Sequence, residues 1–207
     1  MVIADEIAKL RPDFVGLEQA AILRTGTAPP ATAVTFDMLQ SFLQELAARG
    51  VRYETVAVRP GLDAEVPTAL GFDVRLTMRD ALIVRADLLE EGHVKLSNLQ
   101  IRQYIAASTD TEGYSSIDVT WRGRQFRFVA THFALLSLAV PEALELVQTA
   151  ANTTLPVLKL LRGDFEEACR RRAADAHADR TLGLDIADIV SRYLIIKAPT
   201  KRCIITE

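Results

Sequence analysis

The chain has 207 residues, of which 49% are hydrophobic and 25% charged, and its formal net charge is −3. That length suits one globular domain with a sizeable core, and the balance excludes a mostly disordered chain. The mild negative charge (pI about 5.7) supplies no bulk attraction to nucleic acid, and the charge-free run Phe133 to Pro141 is too short to span a bilayer.

The opening Met1-Val2-Ile3-Ala4-Asp5-Glu6 has neither the basic start nor the apolar stretch of a secretory signal, so a cytoplasmic location is expected. Ile3, Ile7 and Leu10 recur at helical spacing, and Arg11-Pro12-Asp13 ends that helix. Phe14 to Leu17 reads as a short buried strand. Gly26, Pro29 and Pro30 mark Thr25 to Ala33 as loop. A stronger helix is predicted from Phe36 to Arg49, with Thr35 as N-cap and Gly50 just past its end. Val51 to Val58 alternates as a strand does, and Pro60 to Thr68 reads as loop.

Asp80 to Val84 is the next predicted strand, followed by one around Val94 to Leu99. Ile117, Val119 and Trp121 alternate with polar residues up to the turn Arg122-Gly123-Arg124, and Phe126, Phe128 and Ala130 alternate beyond it. This pattern predicts an antiparallel hairpin over 117–121 and 124–131. Pro141 opens a helix to about Ala151, and Leu155 to Leu161 reads as a buried strand. A charged helix is expected from Glu166 to Arg180, and Ile186 to Ile196 is apolar-rich without a decided type. Cys169 and Cys203 stand far apart with no CxxC, which argues against a disulfide framework or a zinc site.

Polar residues stand where three apolar runs stop: Glu18-Gln19, Thr131-His132 and Asp164 with Glu166. Carboxylates and a histidine converging at one rim of a sheet can hold a hard divalent cation and a phosphate oxygen.

The surroundings of these residues resemble a known family. Ile3 to Gln19 (IADEIAKLRPDFVGLEQ) is similar to the opening of the endonuclease/exonuclease/phosphatase superfamily, the deoxyribonuclease-I-like proteins. Trp121 to Phe133 (WRGRQFRFVATHF) resembles its Thr-His hairpin, and Leu155 to Phe165 (LPVLKLLRGDF) its Gly-Asp-Phe-Asn strand. Leu76 to Arg85 (LTMRDALIVR) resembles the intervening strand of bacterial members. The resemblance implies a four-layer α/β/β/α sandwich of two mixed sheets, lacking the family's first and last strands, over 1–165, with a divergent segment over 166–207. It also implies a Mg²⁺- or Mn²⁺-dependent site acting on a phosphate ester. There His132 exchanges a proton with the ester, Asp80 orients that histidine and Asp164 positions the attacking water. Glu18, Gln19 and Glu166 fall at the metal-binding and phosphate-contacting positions.

The match breaks at specific residues. The family's metal-binding glutamate follows a glutamine, whereas here Glu18 precedes Gln19, and a neutral amide is a poor ligand for Mg²⁺. Glu166 replaces a neutral asparagine with an anion, and no terminal Asp-His pair follows. His177 lies in an arginine-rich run that reads as a solvated face, and His93 beside Gly92 has no assigned role. The expected function is a metal-dependent phosphoric ester hydrolase with a degenerate site. The alternative is an inactive relative that binds a phosphorylated ligand or a protein. The ligand class stays open among nucleic acid, phospholipid headgroup and sugar phosphate.

Overall fold

The computed structural model describes residues 2–105, 112–132, 139–149 and 153–162. Asp164, Glu166, the helix expected over 166–180 and the apolar element at 186–196 lie outside the described residues.

Helix α1 (Val2–Leu10) runs through the proline break into β1 (Phe14–Leu17), as the apolar spacing implies. Strands β2 (Ile22–Gly26) and β3 (Ala33–Asp37) precede α2 (Met38–Ala48), and β4 (Tyr53–Pro67) precedes β5 (Asp73–Arg85). These strands form a five-stranded sheet whose described pairings are all antiparallel. Strand β5 is its spine. The C-terminal half of β5 lies between β1 and β4, and its N-terminal half lies between β2 and β4. After the short α3 (Ala86–Glu90), a four-stranded sheet is built from β6 (Val94–Gln103), β7 (Gly113–Trp121), β8 (Arg124–His132) and β9 (Val157–Arg162). Helix α4 (Ala139–Gln148) joins β8 to β9, which pair in parallel. A parallel pair needs such a crossover.

Alternation along β5 assigns the layers. Ala81 and Ile83 pack with Ile7, Leu39, Phe42 and Leu46 of the two helices. Leu82 and Val84 pack with Ile117, Val119 and Phe128 of the second sheet. Phe14 bridges the sheets, stacked on Phe128 at 5.4 Å and edge-on to Phe126 at 6.0 Å. The result is the expected α/β/β/α sandwich. Burying each such aliphatic or aromatic side chain stabilises the fold by roughly 1.5–3 kcal/mol.

The hairpin β7–β8 pairs in continuous register from Trp121↔Arg124 to Gly113↔His132. Its two-residue turn places Arg122 at φ 49° and Gly123 at φ 76°, the left-handed pair that matches strand twist.

Three stretches differ from the sequence expectation, and they form one feature. The stretch 60–67 is strand, β2 and β3 flank a loop over 27–32, and β5 begins at Asp73. Together they form an arm in which β2, β3 and β4 extend around the N-terminal half of β5. Pro60 is tolerated because β4, among the described strands, pairs only with β5 and shifts register between Pro60 and Asp63. Helix α2 consequently starts later than expected. Phe36 belongs to β3, and Asp37 is the N-cap, its Oδ1 accepting the Gln40 N–H at 3.1 Å.

One face of the arm is knit by charge. Arg75 Nε donates to Asp63 at 3.0 Å, Thr77 Oγ1 donates to Asp63 at 2.7 Å, and Arg24 donates to Thr77 at 2.8 Å. The hydrogen bond from Arg75, then that from Thr77, holds the Asp63 carboxyl at about 2, below its ordinary 3.8. A depressed carboxylate pKa adds stability that is present above the unfolded value and lost as pH falls through the folded one. Thermal unfolding should therefore show a stability loss between about pH 4 and pH 2 that Asp63→Asn reduces. An unchanged acid limb in that variant would remove Asp63 as its source.

Candidate functional site

The strand alternation that fills the core also aims polar residues at one rim of the sandwich. On β5 the inner face continues from Val84 and Leu82 to Asp80, and on β8 it continues from Phe128 and Ala130 to His132. The two residues meet there, with His132 Nδ1 4.0 Å from Asp80 Oδ1 and both side chains mostly buried. Sequence reasoning expected this pair, and the fold brings it together.

Asp80 has closer partners than the histidine. Its Oδ1 accepts the Gln19 backbone N–H at 3.1 Å, and its Oδ2 forms a short ion pair with Arg59. Arg59 is 2% exposed and lies opposite Asp80 in the β4–β5 register. Sequence reasoning missed it. The signal was a cation directly after the alternating run that ends at Val58, but its partner follows only from the register.

The end of β8 is fixed from its other face. Thr131, buried, donates from Oγ1 to Gly113 O at 3.0 Å, and its hydroxyl also meets that of Tyr104. With its proton directed at Gly113, Thr131 accepts from Tyr104. Burial raises the Tyr104 pKa far above that of a free phenol, so this donor stays protonated.

Strand β1 ends at Leu17. Continued alternation gives Glu18 the inner face shared by Phe14 and Gly16, and Glu18 is half-buried. Gln19 sits at φ 54°, where the chain turns out of the strand. The reversed Glu-Gln order therefore puts a carboxylate, Glu18, on the inward position and an amide at the turn.

The family resemblance implies Mg²⁺ at this rim. A hard cation seeks several carboxylate or carbonyl oxygens at one point. Among the described residues no group of three His, Cys, Asp or Glu side chains is placed to hold a metal. The Asp80 charge is offset by Arg59, and Gln19 offers a neutral amide. The described residues do not fit the ion. Asp164 and Glu166 lie outside them.

The chain matches no family model and no curated protein. Its fold is similar to that of an endonuclease/exonuclease/phosphatase family protein from Leptotrichia buccalis, with a TM-score of 0.53 and 12% identity over 76% of this chain and 57% of that chain. The human Nocturnin catalytic domain with bound sulfate aligns at TM-score 0.47 and 18% identity, over 84% of this chain and 60% of that one. The D. rerio TDP2 complexed with single strand DNA product aligns at 0.44 and 10%, over 81% and 56%. The chain thus spans a little over half the length of these solved structures. It has the fold of the endonuclease/exonuclease/phosphatase superfamily, which the three sequence motifs imply. Among the described residues no helix is long and apolar enough to cross a membrane.

Proposed function

We infer that the chain is a degenerate relative of the phosphoesterases that share its fold and that it binds a phosphorylated ligand at the His132 rim without efficient hydrolysis. The observation that carries this reading is the state of Asp80, whose charge is offset by the buried Arg59. Under this reading His132 donates a hydrogen bond to a phosphate oxygen from a partly open position, and Mg²⁺ or Mn²⁺ is bound weakly.

The test uses the full chain with methyl phosphate as the binding probe and an activated aryl phosphodiester with Mg²⁺ or Mn²⁺ as the turnover probe. Methyl phosphate should bind, His132→Ala should weaken that binding, and hydrolysis should stay near background. Gln19→Glu should raise Mg²⁺ affinity, since it restores an anionic oxygen beside the inward Glu18.

The 4.0 Å approach of His132 to Asp80 favours a second reading, an active hydrolase in which the carboxylate orients the imidazole as a proton-transfer group. That reading predicts robust metal-dependent turnover, lowered about 10²–10⁴-fold by His132→Ala. Such a result would displace the binding assignment. Turnover untouched by His132→Ala would displace both.

A further inference from the structure

We propose that the ligand of this rim is an amphiphile, a single phosphate ester whose hydrocarbon or aromatic group lies along the inner face of the β4–β5 arm. The proposal rests on the ligand-binding reading above. Strand β5 pairs without register shift along β1 and β2, the irregularities falling in its partner β4. One face of β5 therefore runs unbroken from the core residues Val84 and Leu82, past Asp80 at the rim, to Met78, Leu76 and Val74 on the arm. At about 6.6–7 Å for every two residues, this face continues roughly 20 Å beyond Asp80.

The neighbours in register keep that face apolar. Leu76 pairs with Leu23 and Ala64, and Val74 pairs with Thr25 and Val66. Phe36, opposite Leu23, closes the β3 side. Val66 and Phe36 are 57% and 44% exposed, so the surface is open to solvent. Arg24, Arg75, Asp63 and Glu65 of the arm belong to the opposite face, where Arg75 and Asp63 pair with each other.

This segregation bears on the ligand. A polynucleotide carries a phosphate at every step and is held by cations spaced to match. Among the described residues the inner face of the arm offers none, so these residues have nothing to meet a second or third phosphate. An apolar group extending from a phosphate held at His132 would instead cover solvent-exposed aliphatic and aromatic surface, which is the usual role of a contiguous apolar patch beside a polar site.

The experiment compares octyl phosphate below its micelle concentration, methyl phosphate and a short single-stranded oligonucleotide, each titrated against the full chain. Octyl phosphate should bind at least about tenfold more tightly than methyl phosphate, as partial burial of seven further carbons implies. Leu76→Ser and, separately, the more exposed Val66→Ser should each reduce that preference while the methyl phosphate Kd stays unchanged. Equal affinity for octyl and methyl phosphate would overturn the amphiphile and leave the rim assignment standing, as would a preference that neither arm variant alters. Failure of both phosphates to bind would remove the rim assignment as well. Tighter, steeply salt-dependent binding of the oligonucleotide would overturn the proposal in favour of nucleic acid.

Discussion

Asp80→Ala is expected to destabilise the fold by roughly 3–5 kcal/mol and to lower Tm by about 10 °C. The cause is the environment of Arg59, which at 2% exposure cannot turn to solvent for compensation when the Asp80 carboxylate is gone. An ion removed from water is tolerable only while its charge is offset, so breaking such a pair costs far more than the pair contributes net. The same substitution takes away the acceptor of the Gln19 N–H and a carboxylate beside His132, loosening the end of β1 together with the site. A double variant, Arg59→Met with Asp80→Leu, should recover most of the loss, because it removes both charges and keeps volume in the sandwich. Chemical denaturation of the two variants checks this. A double variant as unstable as Asp80→Ala would show that the loss comes from packing rather than from the buried charge of Arg59.

Gly113→Ala should cost about 3 kcal/mol or more and disturb the His132 end of β8. A Cβ on Gly113 would fall 2.1 Å from Arg102 O and 2.9 Å from Gln103 Cα, both backbone atoms of the paired strand β6. Neither can swing aside as a side chain would, so β6 and β7 must separate. Gly113 is also the register partner of His132, and its carbonyl receives the Thr131 hydroxyl. Gly123→Ala is the control. That site is sterically open but held at φ 76°, so its cost should be only the roughly 1–2 kcal/mol of a left-handed alanine, with the rim left intact. Denaturant midpoints and the chemical shifts of His132 distinguish the two glycines. Equal effects would mean that the approach of β6 to Gly113 is not the constraint.

Much of the sandwich was legible because its strands bury one side. Ile117, Val119, Phe126 and Phe128 alternate around Arg122-Gly123, and that alternation yields both the hairpin and its pairing. The arm was not legible for the opposite reason. Its strands lie outside the core, so their pattern follows an exposed charge ladder of Arg24, Asp63, Arg75 and Thr77 rather than burial, and Pro60 and Gly61 resemble loop punctuation. The start of α2 shifted for a local reason. Thr35 and Asp37 are both good caps, and pairing of β3 with β2 decides in favour of Asp37. At the site, His132 and Asp80 could be named from motifs, but Arg59 could not. Its role depends on lying opposite Asp80 across a strand pair whose register is shifted at two places.

The contacts of Asp80 also imply an order of assembly. Arg59 is 21 residues away along the chain, inside one hairpin, whereas Gln19 is 61 residues away and arrives with β1. Closing a loop nearly three times longer costs about 1 kcal/mol more in chain entropy, and contacts of higher sequence separation are the slower to form. The β4–β5 hairpin is thus expected to join its two charges before β1 docks, while one side of that hairpin still faces water. On that order strand β1 would dock against β5 with its backbone meeting a carboxylate already oriented by Arg59. The buried ion pair acts on this route as a registration mark: it fixes β4 against β5 before the most distant strand of that sheet arrives to pair with it.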